Sequence, residues 1–400
     1  MTFEEKDIIY PPVHPGTDRT FIRFYSGEPD LNAIFFPKSD DDEVQDAQKS
    51  SRPQRIFVTD TNVASLDFMK PFVNIFRGEN FSHLEIKPNE RGNHGKDVLL
   101  ILDSGEKSKT IESVLEIVKA ALDNNGQRTS VFVGIGGGVV TDMTAFAASI
   151  FKRGAACELV PTTLLSMVDA AIGGKTGCDF ESYKNMIGSF FPAQKIHIIP
   201  SFIESLPQNE YKSGMAEVVK TALLYSPELF EKLEKTPEIL QERKNPLVGE
   251  AIKICVNAKA KVVEQDLTEK NIRIQLNLGH TFVHALESMA GLGVVTHGDG
   301  VAWGIGRAAD LARNLGLASN NYAERIKKCL ESYGWVTDPV HPAMRAKYSS
   351  NDEIAEVLFN AMKKDKKNST SQVRFVLQEN VGETVITEVP KDKVIEVLKD

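Results

Sequence analysis

The spacing of apolar residues changes character about halfway along the chain. In the first half, short β-branched and aliphatic runs at 55–59, 98–102, 131–133 and 157–160 read as strands, the last stopped by Pro161. Between them, 111–122 places apolar residues at 111, 114, 115, 118, 121 and 122, and 139–151 continues in the same way, so both read as helices. This strand–helix rhythm predicts a mostly parallel sheet covered on both faces. The stretch from Lys38 to Arg55 is nearly devoid of apolar residues and reads as a solvated loop between two strands. After about Pro207 the pattern becomes helical: 210–224, 227–233, 246–264, 281–290, 301–315 and 321–333 follow one another. A strand-like return at 373–377 and a closing helix at 392–398 complete the chain, with no internal repeat. The expected architecture is an α/β domain over 1–206 followed by a mainly α-helical domain over 207–400, and pockets favour such domain interfaces.

The bulk numbers narrow the class. A chain of 400 residues, 42% apolar and 26% charged, suits a soluble protein of two ordinary domains. A formal net charge of −8 argues against a nucleic-acid or anionic-membrane partner, while a local basic pocket for a phosphorylated substrate stays compatible with it. The first ten residues carry acids where a signal peptide would be basic and apolar, and no apolar run approaches the roughly 20 residues that span a bilayer. Cys157, Cys178, Cys255 and Cys329 are widely spaced without a CxxC pair, as expected of free thiols in a reducing cytoplasm.

Candidate chemistry lies in a few polar segments. Glu217, His280 and His297 together offer a divalent cation one oxygen and two nitrogen ligands, the composition of an open, catalytic zinc-type site. Three of the chain's eight histidines fall between 280 and 297, which points to an enzyme. Glu217 and Lys220 share a helix face, where an ordinary surface ion pair is the bland reading. His280 and His284 also share a face, yet Thr281 stands where a zinc protease of the HExxH type carries its Glu. Gly134, Gly136, Gly137 and Gly138 follow a strand and open a helix, so bare backbone N–H groups there suit a dinucleotide pyrophosphate; a tight structural turn is the competing reading. Gly173, Gly174 and Lys175 read as a loop holding a lysine for an anion, against a surface lysine beside a turn.

Read in order, these segments resemble the 3-dehydroquinate synthase family of sugar phosphate cyclases. The resemblance runs from about Arg55 to Leu377. It rests on Thr59-Asp60-Thr61-Asn62, Gly105-Glu106-Lys107-Ser108-Lys109, the triple glycine, Val160-Pro161-Thr162-Thr163-Leu164-Leu165 and Gly173-Gly174-Lys175-Thr176. Lys184-Asn185-Met186-Ile187-Gly188, the segments around Glu217 and Lys220 and around Asn277, His280 and His284, and Asp365-Lys366-Lys367 complete it.

The resemblance implies a Rossmann-like NAD-binding N-terminal domain, an all-helical metal-binding domain after it, and a homodimer. It implies Glu217, His280 and His297 as ligands of a zinc or cobalt ion. For NAD it implies Asp60, Asn62, Glu106, Lys109, Gly137, Gly138, Asp142, Thr162, Thr163 and Ser205, with Lys175 and Lys184 nearby. Substrate handling would fall to Asp169, Lys175, Lys184, Asn185, Lys220, Lys259, Arg273, Asn277, His284 and one of Lys366 or Lys367, with Arg153 reaching the neighbouring subunit's phosphate site. Asp299-Gly300, the segment 177–183 and a long N-terminal stretch depart from the usual pattern and bear on substrate choice and subunit contacts.

The implied activity is that of a carbon–oxygen lyase of the shikimate pathway, turning 3-deoxy-D-arabino-heptulosonate 7-phosphate into 3-dehydroquinate and phosphate. A ring hydroxyl is transiently oxidised by NAD beside a Lewis-acidic metal, phosphate is eliminated, the oxidation is reversed, and an aldol step closes the carbocycle. The alternatives are a cyclase of the valiolone or deoxy-inosose type, and a metal-dependent polyol dehydrogenase with net NADH production. Lys259, Arg273, Asn277 and His284 favour the heptulosonate, which carries a carboxylate the other sugar phosphates lack.

Overall fold

A computed structural model describes residues 3–9, 17–37, 52–77, 86–181, 183–291, 293–364 and 372–399. It divides into two compact units, Met1–Leu206 and Pro207–Asp400.

The first unit is built on an eight-stranded sheet of order β1-β2-β10-β7-β6-β3-β5-β4. Its strands are β1 (Phe3–Ile9), β2 (Arg19–Tyr25), β3 (Arg55–Asp60), β4 (Glu90–His94), β5 (Asp97–Leu102), β6 (Val131–Gly136), β7 (Ala156–Pro161) and β10 (Lys195–Ile198). The six central strands run parallel, and only the outer pairs β1–β2 and β4–β5 are antiparallel. Both faces of the middle are covered, so β5 is buried along its whole length, as its unbroken aliphatic sequence anticipates. Helices Ile111–Asp123 and Gly138–Ile150 make the crossovers, the first capped by Thr110, whose Oγ1 accepts from Ser113 N at 3.3 Å.

The chain lays β5 on one side of β3 and then returns to lay β6 on the other, so the order reverses at β3/β6. Ligands of open α/β sheets bind outside the carboxyl ends of strands at such a reversal. A separate antiparallel hairpin, β8 (Lys175–Phe180) and β9 (Tyr183–Phe190), packs against the Gly138–Ile150 helix. Lys175 therefore opens a strand and does not sit in a loop. Glycines hide this strand from its sequence: a Cβ on Gly188 would stand 2.1 Å from Thr176 O, so bulky alternation is sterically barred where the two strands cross. The expected loop at 38–55 falls outside the described residues up to position 51, and Arg55 already belongs to β3.

The second unit is mainly but not wholly helical. Its helices span Gln208–Tyr225, Pro227–Lys235, Pro246–Gln265, His280–Ala290, His297–Asn314, Asn320–Ser332, Asn351–Lys364 and Lys391–Val397, with a short Pro342–Arg345 turn. The strand expected at 373–377 pairs with a second, Glu383–Val389, in an antiparallel hairpin. Its Phe375 packs on Phe282 at 5.0 Å, and Trp303 lies edge-on to Phe282 with its indole N–H donated to Asp338 O at 2.9 Å. The helix Asn351–Lys364 was not anticipated, although Ile354, Ala355, Leu358, Phe359 and Met362 are buried at helical spacing.

Candidate active site and metal centre

In the first unit most of the expected dinucleotide residues gather at the carboxyl ends of the parallel strands. Asp60 ends β3 and accepts from Val63 N at 2.8 Å, capping the short helix that exposes Asn62. Burial raises the Asp60 carboxyl above its ordinary value, against the backbone N–H groups that favour the anion. Gly137 caps the Gly138–Ile150 helix with no side-chain bond, leaving N–H groups at the positive end of the helix for an anion. Close packing holds this turn: a Cβ on Gly137 would stand 3.0 Å from Thr163 Cγ2, and Thr162 N donates to Gly136 O at 2.9 Å.

Beside that turn lies a polar cluster centred on the buried Lys109. Lys109 Nζ donates to Asp142 Oδ2 at 2.7 Å and to Asn185 Oδ1 at 2.5 Å. Burial disfavours the Lys109 charge, but Asp142 and Glu106 outweigh it and hold the ammonium pKa above its usual value. Lys184 Nζ comes within 4.0 Å of Glu106 Oε1. Asp179, which sequence reasoning missed, accepts the Asn185 N–H at 2.7 Å and donates its own N–H to Lys109 O at 2.8 Å. The β8/β9 hairpin is thereby pinned to Lys109 from both sides of its turn, with Asn185 in the left-handed region at φ 51°.

Other expected residues sit elsewhere. Asp169 is half-buried on a π-helical turn, Ser166–Ala170, and Lys175 is exposed at the start of β8. Ser205 Oγ donates to Phe202 O at 2.8 Å within its own turn. Arg153 is exposed just before β7 begins, at the amino ends of the parallel strands, opposite the carboxyl ends that carry the glycine turn. Within one chain it is not brought to the rest.

In the second unit, Glu217 and Lys220 lie on the Gln208–Tyr225 helix, which is buried continuously from Ser213 to Leu224. Their ion pair is interior, with side chains 1% and 2% exposed, so the surface reading of that pair is corrected. An amphipathic stripe would have faced the pair outward, but this stretch of the helix is enclosed all round. His280 begins the His280–Ala290 helix and His297 begins the His297–Asn314 helix. His297 Nε2 stands 3.1 Å and His280 Nε2 3.8 Å from the same oxygen, Glu217 Oε1. The three ligand atoms lie within 4.8 Å of one another, the one such group among the described residues.

Glycines permit this approach. A Cβ on Gly298 would stand 2.3 Å from Ser213 Cα, and Gly298 N donates to Ser213 Oγ at 3.0 Å. At a second crossing, Gly279 at φ 79° meets Gly304, where a Cβ would stand 2.8 Å from the Gly304 carbonyl carbon. Thr296 caps the His297–Asn314 helix, its Oγ1 accepting from Asp299 N at 3.2 Å and donating to Asp299 Oδ2 at 2.8 Å. The departure at position 299 therefore serves the helix that presents His297.

The donor set fits a divalent cation. Burial and the neighbouring Lys220 charge push the His280 imidazole down to about 3, so it is neutral with a lone pair to give. Burial also disfavours a charged His297, but Glu217 and Glu287 outweigh it and raise the group to about 9, which puts a proton among the carboxylates where a cation would otherwise lie. The His284 ring follows one turn below His280 at 5.7 Å. Lys259 and Arg273 are buried, and Asn277 Nδ2 donates to Glu269 Oε1 at 2.5 Å. Asp266 organises the turn that bears Arg273 and Asn277, accepting from the N–H groups of Lys270, Asn271 and Arg273 at 2.9, 2.7 and 3.1 Å. Lys366 and Lys367 lie outside the described residues.

Comparison with known proteins matches both halves of this arrangement. Residues 99–213 match the family model "3-dehydroquinate synthase N-terminal" and residues 214–368 match "3-dehydroquinate synthase C-terminal". The chain is 38% identical over 296 residues to a 3-dehydroquinate synthase of Wolinella succinogenes, covering 74% of this chain and 81% of that protein. It is 38% identical over 301 residues to the synthase of Nostoc punctiforme, covering 74% and 80%. Among solved structures it is similar to a 2-epi-5-epi-valiolone synthase from Streptomyces hygroscopicus with NAD+ and Zn2+ bound, with TM-score 0.72, 25% identity and coverage of 88% and 92%. A 2-deoxy-scyllo-inosose synthase, at 23% identity, TM-score 0.75 and 99% coverage of both chains, shares the fold. With both family models in consecutive register across the two units and relatives this similar over most of their length, the chain belongs to the 3-dehydroquinate synthase family.

Proposed function

We propose that the protein is a 3-dehydroquinate synthase, a carbon–oxygen lyase that converts 3-deoxy-D-arabino-heptulosonate 7-phosphate to 3-dehydroquinate and phosphate in the shikimate pathway. The carrying observation is the convergence of Glu217, His280 and His297 on one point within a chain of this family. Glu217, His280 and His297 would hold a zinc or cobalt ion, which when bound supplies a Lewis acid for a substrate hydroxyl. NAD would lie at the strand reversal, with Asp60 and Asn62 at the end of β3, Gly137 and Gly138 at the helix start, and Thr162 and Thr163 after β7. When bound it takes up and returns the reducing equivalents of the ring carbon.

The chain's own residues supply binding and orientation. Lys109 and Asp142 fix the hairpin that presents Lys184 and Asn185. Lys175, Asn185, Asn277, His284 and the lysine at 366 or 367 are assigned to the substrate phosphate, whose charge demands cations and N–H donors. Lys220, Lys259 and Arg273 are assigned to the carboxylate and ring hydroxyls, with Asp169 and Lys175 near the reacting carbons. Lys220 is held beside Glu217, which fixes its ammonium next to the residues that would hold the metal. Two further elements rest on the family alone: a homodimer, and Arg153 reaching the partner's phosphate site. The four cysteines, all buried free thiols, support a cytoplasmic setting.

The direct test is phosphate release from the heptulosonate phosphate in the presence of NAD and a divalent metal, with identification of the carbocyclic product. No phosphate release under those conditions, alongside turnover of a sugar phosphate lacking the carboxylate, would reassign the substrate.

A further inference from the structure

His297 has two ring nitrogens, and each faces a carboxylate. Nε2 faces Glu217, the point on which the other candidate ligands converge. Nδ1 faces Glu287 Oε1 at 3.6 Å, and that side chain is only 10% exposed. His280 is arranged the same way, with Nε2 toward Glu217 and Nδ1 3.3 Å from the Leu278 carbonyl oxygen. Each imidazole thus turns one nitrogen toward the common point and the other toward an oxygen acceptor behind it. Glu287 lies seven residues after His280 on the same helix, so two turns bring both side chains to one face. One helix therefore contributes both a candidate ligand and the acceptor behind its neighbour.

We infer that Glu287 is a positioning residue that orients His297, accepting from Nδ1–H so that Nε2 presents its lone pair to the metal. This rests on the metal reading above. A carboxylate behind an imidazole fixes the tautomer, restrains ring rotation and makes the ligating nitrogen a stronger donor. The alternative is a carboxylate that only fills space at a helix crossing; it would leave the metal-facing nitrogen unaffected when replaced.

The test uses the full-length protein, stripped of metal and reloaded with zinc in competition with a chromophoric chelator. Wild type should bind one equivalent tightly and Glu217→Ala should not, which checks the metal reading by itself. Glu287→Gln, isosteric and uncharged, should then bind zinc about 10-fold more weakly, and Glu287→Ala toward about 100-fold, the range typical of outer-shell partners. Glu287→Asp, which keeps the charge one methylene further away, should recover part of the loss. In the cobalt-substituted protein the ligand-field bands of Glu287→Gln should shift, because the donor strength of one nitrogen changes. If wild type binds zinc but Glu287→Gln and Glu287→Asp both bind it as tightly, with an unaltered cobalt spectrum, Glu287 has no positioning role. If wild type itself binds no zinc, the metal reading fails first.

Discussion

Ser213 Cα lies where a side chain on Gly298 would have to go, 2.3 Å from an ideal Cβ at that position. The contact joins the helix that carries Glu217 to the first turn of the helix that carries His297, so backbone proximity at this crossing sets the distance between two candidate ligands. Gly298→Ala should force the helices apart. Overpacking of this kind costs about 1–3 kcal/mol, and here it should also weaken zinc binding. Thermal unfolding of the metal-free protein and chelator competition would measure the two effects. An alanine variant with wild-type zinc affinity would show that the crossing does not set the site.

Metal should be required for turnover. Chelation should abolish phosphate release and zinc or cobalt should restore it. Glu217→Ala should lose more affinity than the roughly 10–100-fold of an outer-shell change, since two neutral imidazoles remain without the charged ligand. Full activity in dialysed, metal-free protein would overturn the assignment of Glu217, His280 and His297.

NAD should be needed but not consumed, because oxidation and reduction occur on the same substrate within one cycle. Absorbance at the reduced-nicotinamide band, followed alongside phosphate release, should stay flat in the steady state. Stoichiometric NADH accumulation would indicate a dehydrogenase.

Arg273 is buried, and its turn is tied to Asp266 through three backbone N–H groups, an arrangement that favours a rigid contact with a substrate carboxylate. Losing one partner of a buried charge pair costs roughly 2–5 kcal/mol, or about 30- to several-thousand-fold in kcat/KM. Arg273→Ala should lower turnover of the heptulosonate phosphate by that factor while zinc stoichiometry is retained. Asp266→Ala should lower it less, since it loosens the turn and leaves the guanidinium in place. A wild-type protein that cyclises sedoheptulose 7-phosphate faster than the heptulosonate would remove the carboxylate role from Arg273.

A stability prediction concerns the sheet. Burial alone would raise the Glu158 carboxyl, but His197 Nε2 at 3.1 Å and Lys195 Nζ at 2.9 Å hold it down at about 2. Because the folded value lies below the unfolded one, the stabilisation is present above about pH 4.5 and is lost as pH falls through about 2. Glu158→Gln should therefore be less stable at pH 7, on the order of 3 kcal/mol. The gap to wild type should close progressively below pH 4.5 in denaturant titrations. A difference that is constant from pH 7 to pH 2 would mean that packing, not charge, is responsible.

The sequence by itself determined the strands whose aliphatic runs are buried on both faces, such as β5, and the long helices of the second unit. The strands show as short unbroken aliphatic runs and the helices by their apolar spacing. It also determined which residue types could ligate a metal, because Glu217, His280 and His297 stand in short segments whose chemistry reads locally. Tertiary structure alone decided three things. It enclosed the Ser213–Leu224 stretch of the Gln208–Tyr225 helix on every side, so that a Glu–Lys pair at ordinary surface spacing became an interior pair. It formed the β8/β9 hairpin from a glycine-rich segment without alternation, which brought Lys184 and Asn185 beside Lys109, about 75 positions earlier in the chain. It also set Glu287 behind His297 across the turn between two consecutive helices, and Ser213 against Gly298, 85 positions apart in the chain. Local spacing specifies what a segment can form and which atoms it offers. Which distant segment it meets depends on steric fit across the packed core, and no single stretch of sequence encodes that.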